Sequence, residues 1–252
     1  MKIIDFHTHL QEEWLGRKLL NAKQFVEGMD RCGIDVACIF TLAGFYANQP
    51  EENDRLVRDS AAYADRLIPF VTVDPKLGKP AVAELERCLS DKSGRFRGVK
   101  FHSWLQAFAP ALVRETMIEI LRCAAKHKAP ILFHDGTPPY STTFQIAALA
   151  RWVPDAAVVL GHAGLGDYVY PAGQLMREIP NLYACLCGPK PADLEYLIKA
   201  AGPDRIVWGS DFGFSHWRMI SERLDDALLA NIDDAQRERV FYTNAARLLR
   251  WK

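Results

Sequence analysis

Histidines at the ends of apolar segments are the residues of this sequence best suited to chemistry. His7 and His9 close the first such segment, residues 3–9 of the chain of 252 residues. Residues two apart in a strand point to the same side, so both imidazoles are expected to face one spot. Neutral imidazole binds Zn, Mn and Fe, which makes this pair half of a metal site. Such pairs also occur as ordinary polar residues near strand ends, so the rest of the chain must decide.

Later apolar segments end in further polar residues of the same kind. His102, His134 and His162 each close a segment, and Asp211 closes the last one. With His7 and His9, five of the 7 histidines therefore lie at proposed strand ends, where chance would scatter them over helices and loops. Three imidazoles and one carboxylate, from His7, His9, His134 and Asp211, make a metal-binding set with room for a water molecule.

The elements that carry these residues alternate between apolar strands and helical patterns. Strands that are apolar on both faces are typical of parallel sheets. Eight such segments occur, at residues 3–9, 36–40, 68–73, 98–102, 130–134, 156–162, 181–187 and 205–211. Eight strand–helix units in about 250 residues match an α/β fold of the (β/α)8 TIM-barrel type. One extra C-terminal helix is expected from about residue 234 to 249, and residues 1–252 are expected to form a single barrel domain.

A doubly wound open sheet is the alternative that alternation alone leaves open. Two features disfavour it: no glycine-rich phosphate loop follows the first strand, and polar residues end five of the strands. In an open sheet those ends would spread along a wide edge. In a closed barrel they meet at one mouth, where this fold places its chemistry.

A set of motifs stands in order along the chain: Asp5-x-His7-x-His9, Gly98-Val99-Lys100-Phe101-His102, Phe133-His134, Gly161-His162-Ala163-Gly164, Gly209-Ser210-Asp211 and Asn244-Ala245-Ala246-Arg247-Leu248. This set resembles the amidohydrolase superfamily, and the resemblance covers the whole chain. Within it, the chain resembles the branch of aminocarboxymuconate-semialdehyde decarboxylase, resorcylate decarboxylase and related metal-dependent hydrolases. The resemblance implies a metal held by His7, His9, His134 and Asp211, with His162 beside it.

The expected catalytic residues are Asp211 and His162. A divalent cation lowers the pKa of its bound water from 15.7 toward ~7, and Asp211 would take that proton and pass it to a leaving group. His162 would orient the water, polarise a substrate carbonyl or bind a second metal. In the alternative interpretations Asp211 is a helix N-cap and His162 hydrogen-bonds the backbone. One divalent ion is expected, zinc first, with manganese or iron as alternatives.

Lys100 has two interpretations. As an ammonium it would bind a substrate carboxylate. Related enzymes carry a carboxylated lysine on the corresponding strand that bridges two metals, so a second metal with carboxylated Lys100 is the lesser alternative. His102, on the same face, would donate to substrate or serve as a structural partner.

Aromatic residues follow several strand ends, which predicts an aromatic-walled mouth. We expect Trp104 and Tyr140 to contact substrate there, together with Lys100 and His102. Arg17 is a further cation that would meet an acid group of the substrate.

Three functions are compatible with these residues. The first is a metal-dependent hydrolase that uses metal-activated water on an amide, lactone or ester-like bond of a small cyclic or aromatic carboxylic acid. The alternative is a non-oxidative decarboxylase, in which Asp211 or His162 moves a proton to carbon. The resembling decarboxylases carry a catalytic arginine with no secure match here, which favours hydrolysis. A non-catalytic, metal-stabilised binding barrel would have no chemical need for all five site residues.

Composition excludes several classes of partner. Lys+Arg and Asp+Glu both number 31, and the pI is near 7.0, so no electrostatic attraction to nucleic acid or an anionic membrane is expected. No apolar run approaches the ~18 residues of a membrane span, and the N-terminus lacks a signal-peptide pattern. The cysteines form no C-x-x-C pair, which fits reduced thiols. We expect a cytoplasmic protein that acts on a small molecule, with a homodimer as the expected assembly.

Overall fold

The computed structural model describes residues 1–214 and 216–252, and its centre is an eight-stranded parallel sheet in the order β1-β4-β5-β6-β7-β8-β9-β10. Helices alternate with these strands, so the (β/α)8 barrel predicted from the sequence is confirmed. The strands are β1 Ile4–His9, β2 Glu13–Trp14, β3 Arg17–Lys18, β4 Val36–Phe40, β5 Leu67–Val71, β6 Gly98–Phe101, β7 Ile131–Phe133, β8 Val158–Leu160, β9 Leu182–Leu186 and β10 Ile206–Trp208.

The helices form a layer around the sheet. They are α1 Ala22–Arg31, α2 Gln49–Asp59, α3 Lys79–Leu89, α4 Arg114–Lys126, α5 Thr143–Trp152, α6 Val169–Glu178, α7 Pro191–Ala201, α8 Arg218–Leu228, α9 Asp234–Glu238 and α10 Asn244–Leu249. A π-helical turn, Arg239–Thr243, joins α9 to α10, so the extra C-terminal helix predicted at 234–249 is present. Among the described residues, no helix combines the length and the apolar character that crossing a membrane requires.

The barrel closes between β1 and the segment that follows β10. The backbone N–H of Asp211 donates to the carbonyl of His7 at 2.8 Å, and the N–H of His9 donates to the carbonyl of Phe212 at 2.7 Å. These bonds lie at the carboxyl ends of the strands. Closure therefore brings the first and last predicted ligands to the same point.

The barrel interior is filled by apolar side chains below the mouth. Ile4, Phe6, Phe40 and Phe70 belong to this interior cluster. Leu249 of α10 belongs to it as well, so the C-terminal helix closes the opposite end of the barrel. The site at the mouth thus stands on a packed floor rather than over a pore.

A β-bulge in β1 sets the direction of the two histidines. Asp5 pairs with Ala37 and Thr8 pairs with Ile39, so β1 has one residue more than β4 over this stretch. Such a bulge changes the face to which the following side chains point. Ile4 and Phe6 consequently fill the interior, whereas His7 and His9 face the mouth, with ring centroids 5.7 Å apart.

A short hairpin between β1 and α1 was not predicted. β2 and β3 pair antiparallel, with Trp14 opposite Arg17. The turn residues Leu15 and Gly16 both have positive φ, 51° and 73°, which is the geometry of a type I′ hairpin turn. The ring centroids of Trp14 and Phe214 lie 5.8 Å apart, and those of Phe214 and His9 lie 4.8 Å apart, so the hairpin borders the mouth.

Candidate metal centre

His7 is held in one orientation by the backbone that follows β8, across the barrel from β1. Its Nδ1 lies 3.0 Å from the carbonyl oxygen of Gly161, so Nδ1 carries the proton and donates it, which leaves a lone pair on Nε2. The residue is fully buried, and burial together with the charge of Lys100 holds the pKa of His7 well below its usual value. The ring is therefore neutral, as a metal ligand must be.

Asp211 approaches both histidines of β1. Its Oδ1 lies 3.3 Å from His9 Nε2 and 3.7 Å from His7 Nε2. Burial raises the pKa of the Asp211 carboxyl, but the hydrogen bond from His9 and the proximity of His7 outweigh that effect and hold it well below its usual range. Its φ of 62° lies in the left-handed region, which aspartate tolerates better than most residues.

The chemistry of this donor set fits a divalent cation. One ligand atom each from His7, His9 and Asp211 lie within 4.8 Å of one another. Two neutral imidazoles and one ionised carboxylate are the donors that borderline divalent ions prefer. In addition, His9 Nδ1 is buried without a hydrogen-bond partner among the described residues, so the ring has no bond there that would resist a small rotation toward an ion.

Lys100 binds to the Nε2 lone pair of His7 that a metal ion would need. Its side chain is fully buried, and its Nζ lies 2.8 Å from His7 Nε2. Burial lowers the pKa of Lys100 to about 8, although Asp211 acts in the opposite direction. The ammonium donates to His7 in this arrangement, so it must move or lose a proton when His7 binds a cation. The side chain contacts His7 rather than the open mouth, where a substrate carboxylate was expected to meet it.

His134 and His162 form a chain of hydrogen bonds beside the donor set. His162 Nδ1 lies 2.8 Å from the carbonyl of Cys187, so Nδ1 carries the proton and Nε2 is the acceptor. His134 Nδ1 lies 2.8 Å from that Nε2 and must donate to it. His134 Nε2 then accepts from the hydroxyl of Thr137, also at 2.8 Å. Both nitrogens of His134 are paired, so His134 binds a metal only after it gives up one of these bonds.

The predicted substrate-binding residues lie in different surroundings. His102 stacks on His134 with ring centroids 3.9 Å apart, and Trp104 is exposed with its ring 6.2 Å from His102. Tyr140 is half-buried in the loop between β7 and α5. Arg17 is exposed on the hairpin at the edge of the mouth, and the structure gives it no hydrogen bond to the other site residues.

Aromatic rings wall the donor set. Phe40 lies beside both histidines of β1, with centroid distances of 5.4 Å to His7 and 5.5 Å to His9. Phe45 lies 6.2 Å from His9 and 5.5 Å from His102. Phe214 covers His9 from the other side. The approach to the donor set is therefore apolar and suits a planar ring.

Two buried aspartates position the site: Asp5 stood in the sequence only as a motif residue without an assigned role, and Asp135 was not singled out. Asp5 accepts hydrogen bonds from the backbone N–H of Ser210, at 2.9 Å, and from its hydroxyl, at 2.5 Å, which ties β1 to the loop that carries Asp211. Asp135 accepts from the N–H of His162 at 2.7 Å and from the N–H of Gly164 at 2.8 Å. For Asp135 the only signal in the sequence was its position next to His134, since a lone aspartate near a strand end is commonly a turn residue.

Solved structures resemble this fold over its full length. A 2,6-dihydroxybenzoate decarboxylase from Rhizobium matches with a TM-score of 0.76 and 18% identity, covering 99% of this chain and 98% of that one. A dihydroxybenzoic acid decarboxylase from Polaromonas, with bound manganese and 2-nitroresorcinol, matches with a TM-score of 0.77 and 19% identity, over 99% of this chain and 97% of that one. A 5-carboxyvanillate decarboxylase from Novosphingobium aromaticivorans, also with manganese, matches with a TM-score of 0.78 and 15% identity, over 99% of this chain and 96% of that one. At these identities the likeness establishes the fold.

Sequence comparison supplies the family. The comparison with curated proteins finds no match. The amidohydrolase family model matches residues 4–251, which includes every strand of the barrel and every residue of the donor set. The chain belongs to the amidohydrolase family of enzymes.

Proposed function

We propose that the protein is a divalent-metal-dependent, non-oxidative decarboxylase of a small aromatic carboxylic acid. The observation that carries the proposal is the donor set of His7, His9 and Asp211 inside a wall of aromatic rings. Solved decarboxylases of the same fold, two of them with manganese, add support, and for this reason decarboxylation is preferred to the hydrolysis that the sequence favoured. Manganese and zinc are both proposed as ions for the site.

The reaction needs one proton and one broken bond. A proton is added to the ring carbon that bears the carboxylate, the carbon–carboxylate bond breaks, and its electron pair restores the aromatic ring as carbon dioxide leaves. When bound, a divalent cation supplies a fixed positive charge that orients acidic oxygens of the substrate. The residues of this chain supply the proton and the apolar surface for the ring.

Asp211 is the better candidate for the proton donor. Both nitrogens of His162 are engaged, one with the carbonyl of Cys187 and the other with His134. Asp211 is part-exposed, with 30% of its side chain accessible, so it can take a proton from the solvent and present it at the mouth. Because it is ionised when no substrate is bound, it must be protonated before or during substrate binding.

The test is a measurement of carbon dioxide release. Protein loaded with manganese is incubated with hydroxylated and methoxylated benzoates, including 2,6-dihydroxybenzoate and 5-carboxyvanillate, and the evolved gas and the decarboxylated phenol are quantified. We expect release by the wild type and a loss of at least about 100-fold in Asp211→Asn, because a general acid contributes roughly 10²–10⁴. His216→Gln, in the exposed loop before α8, is the matched control and should retain the wild-type rate.

Hydrolysis is tested in the same preparation. Lactones and amides of aromatic acids are offered to the loaded protein, and free acid is measured. Turnover of these compounds without carbon dioxide release from any benzoate would show that the enzyme is a hydrolase. Absence of both activities in fully loaded protein would contradict the proposal.

A further inference from the structure

A second cluster of metal-ligand side chains lies on the outer helices. Glu86 belongs to α3, and Cys123 belongs to the neighbouring helix α4, whose C-cap is His127. Cys123 and His127 are four residues apart, so they lie on one face of α4, opposite Glu86. Both helices end here, and in this fold helices end at the side of the barrel opposite the mouth. The cluster is therefore separate from the donor set of His7, His9 and Asp211.

The distances within the cluster suit one ion. Glu86 Oε2 lies 3.1 Å from His127 Nε2 and 3.3 Å from Cys123 Sγ. The three ligand atoms all lie within 4.8 Å of one another. Zinc at 2.0–2.3 Å from tetrahedral N, O and S ligands separates them by about 3.3–3.7 Å. Each contact to Glu86 would lengthen by only about 0.2–0.3 Å to admit the ion.

The groups around Glu86 leave one of its two carboxylate oxygens available to bind an ion. Lys126 Nζ, at 2.8 Å, and Ser90 Oγ, at 2.9 Å, donate to Oε1, which leaves Oε2 to Cys123 and His127. Hydrogen bonds from Lys126, His127 and Ser90 hold the pKa of Glu86 at about 2, so the carboxylate is ionised at neutral pH. Lys126 also offsets part of the negative charge that a thiolate would add beside it.

The remaining ligands are accessible in different degrees. Cys123 is 8% exposed, and the side chain of His127 is 19% exposed. Burial and the nearby Glu86 raise the pKa of Cys123 to about 12, so the thiol is protonated when no ion is bound. An arriving cation must therefore displace the thiol proton to solvent.

We propose that Glu86, Cys123 and His127 form a zinc site that clips α3 to α4, independently of the metal at the barrel mouth. A thiolate with an imidazole selects a borderline or soft ion such as zinc over magnesium or calcium. Zinc binding forms one Zn–S, one Zn–N and one Zn–O bond and releases one proton from Cys123. A water molecule would complete four-coordination on the exposed side.

The competing explanation is a simple ionic clasp, in which Glu86 only pairs with Lys126 and His127. Such a pair stabilises a surface without any ion. The two explanations differ in what the thiol does. A clasp needs no sulfur, whereas a zinc site loses a ligand when Cys123 is replaced.

The test compares zinc content among variants of the full-length protein. Wild type, Cys123→Ala, His127→Gln and Cys88→Ala are dialysed against buffered zinc and measured by elemental mass spectrometry. Cys88 is the matched control, because its thiol also meets a glutamate of α3, Glu84 at 3.2 Å, and belongs to no metal-ligand cluster of the described residues. Any ion at the mouth is common to all four proteins and cancels in the differences.

We expect the wild type and Cys88→Ala to bind one equivalent of zinc more than Cys123→Ala and His127→Gln. Cobalt bound in place of zinc should give a thiolate-to-metal charge-transfer absorption. Cys123→Ala should lose the part of this absorption that one thiolate-bound cobalt ion contributes. His127→Gln changes a part-exposed side chain, so it remains informative if the buried Cys123→Ala variant folds poorly. Equal zinc content in wild type, Cys123→Ala and His127→Gln would overturn the proposal and leave the ionic clasp.

Discussion

The hydrogen-bond chain from Thr137 through His134 and His162 to the carbonyl of Cys187 fixes the proton on each ring. Each ring nitrogen of His134 and His162 has one hydrogen-bond partner and either donates or accepts, so the tautomer of one ring depends on that of the other. The His162 ring lies 4.9 Å from the His7 ring between centroids, and His134 is linked to the donor set through its hydrogen bond to His162. The two histidines are therefore expected to respond differently to replacement.

His134→Ala should lose bound metal together with activity, whereas His162→Ala should keep its metal and lose rate, because His134 Nδ1 then loses the acceptor that orients its ring. The reason is that His134 Nε2 can bind an ion once it gives up the hydrogen bond from Thr137, whereas His162 Nδ1 donates to the backbone carbonyl of Cys187. Metal content and carbon dioxide release, measured on the same samples, check the prediction. Full metal retention in His134→Ala would remove it from the ligand set.

Lys100→Met should raise the affinity for manganese by about tenfold at pH 7. The Lys100 ammonium, with its pKa lowered to about 8 by burial, must leave His7 Nε2 or lose its proton before an ion binds, a cost of about one pKa unit. Methionine has a similar length and no charge. Calorimetric titration measures the change. Weaker binding in the variant would indicate that Lys100 itself supports the ion, as the carboxylated form would.

At the residue scale, the sequence identified donors but not their partners. Histidine and aspartate at strand ends were recognisable, because few other roles place so many imidazoles there. The contact of Lys100 with His7, and the support from Asp5 and Asp135, depend on distances across the barrel, which no local pattern contains.

The strands position the donors through small irregularities. The bulge in β1 turns His7 and His9 to the mouth, and β10 ends at Trp208, so Asp211 stands on a loop whose backbone hydrogen-bonds to β1. The sequence predicted all eight strands but extended the last to residue 211, because Gly209, Ser210 and Asp211 follow the apolar residues directly and carry no turn signal strong enough to end the strand at Trp208. It missed the β2–β3 hairpin, since each of its strands has only two residues, too few for a periodic pattern.

Gly98→Ala should destabilise the fold by about 1–3 kcal/mol, the usual cost of overpacking a core. A Cβ at this position of β6 would lie 2.4 Å from the Phe70 ring inside the barrel. Chemical denaturation with urea measures the loss. Gly28→Ala is the comparison: its Cβ would lie 3.1 Å from the Phe212 ring, a milder clash that the helix preference of alanine partly offsets, so its loss of stability should be smaller. Equal stability of Gly98→Ala and wild type would show that Phe70 can move aside.

In the whole molecule, the two ends of the barrel have different functions. The mouth carries the donor set, and α10 closes the other end with Leu248 and Leu249 in the interior cluster. The alternation of strands and helices predicted this architecture and the extra helix at 234–249. It did not predict that the helix plugs the barrel, because an amphipathic pattern does not tell which surface it covers.

Leu249→Ala should lower the free energy of unfolding by about 2–5 kcal/mol without changing the manganese stoichiometry. The side chain is fully buried at the end remote from the donor set. Leu229→Ala, at a leucine that is 75% exposed, should change stability by less than about 0.5 kcal/mol. Denaturation curves and metal content test both variants. Loss of metal in folded Leu249→Ala would show that the two ends are coupled.

The central claim is that His7, His9 and Asp211 hold one divalent ion at the barrel mouth. The most direct measurement is manganese binding by the wild type and Asp211→Asn, with the free ion quantified by electron paramagnetic resonance. Manganese prefers oxygen and imidazole ligands, so the thiol-containing cluster on α3 and α4 does not obscure the result. We expect one bound equivalent in the wild type and at least about tenfold weaker binding in the variant. No binding by the wild type, or equal binding by both proteins, would contradict it.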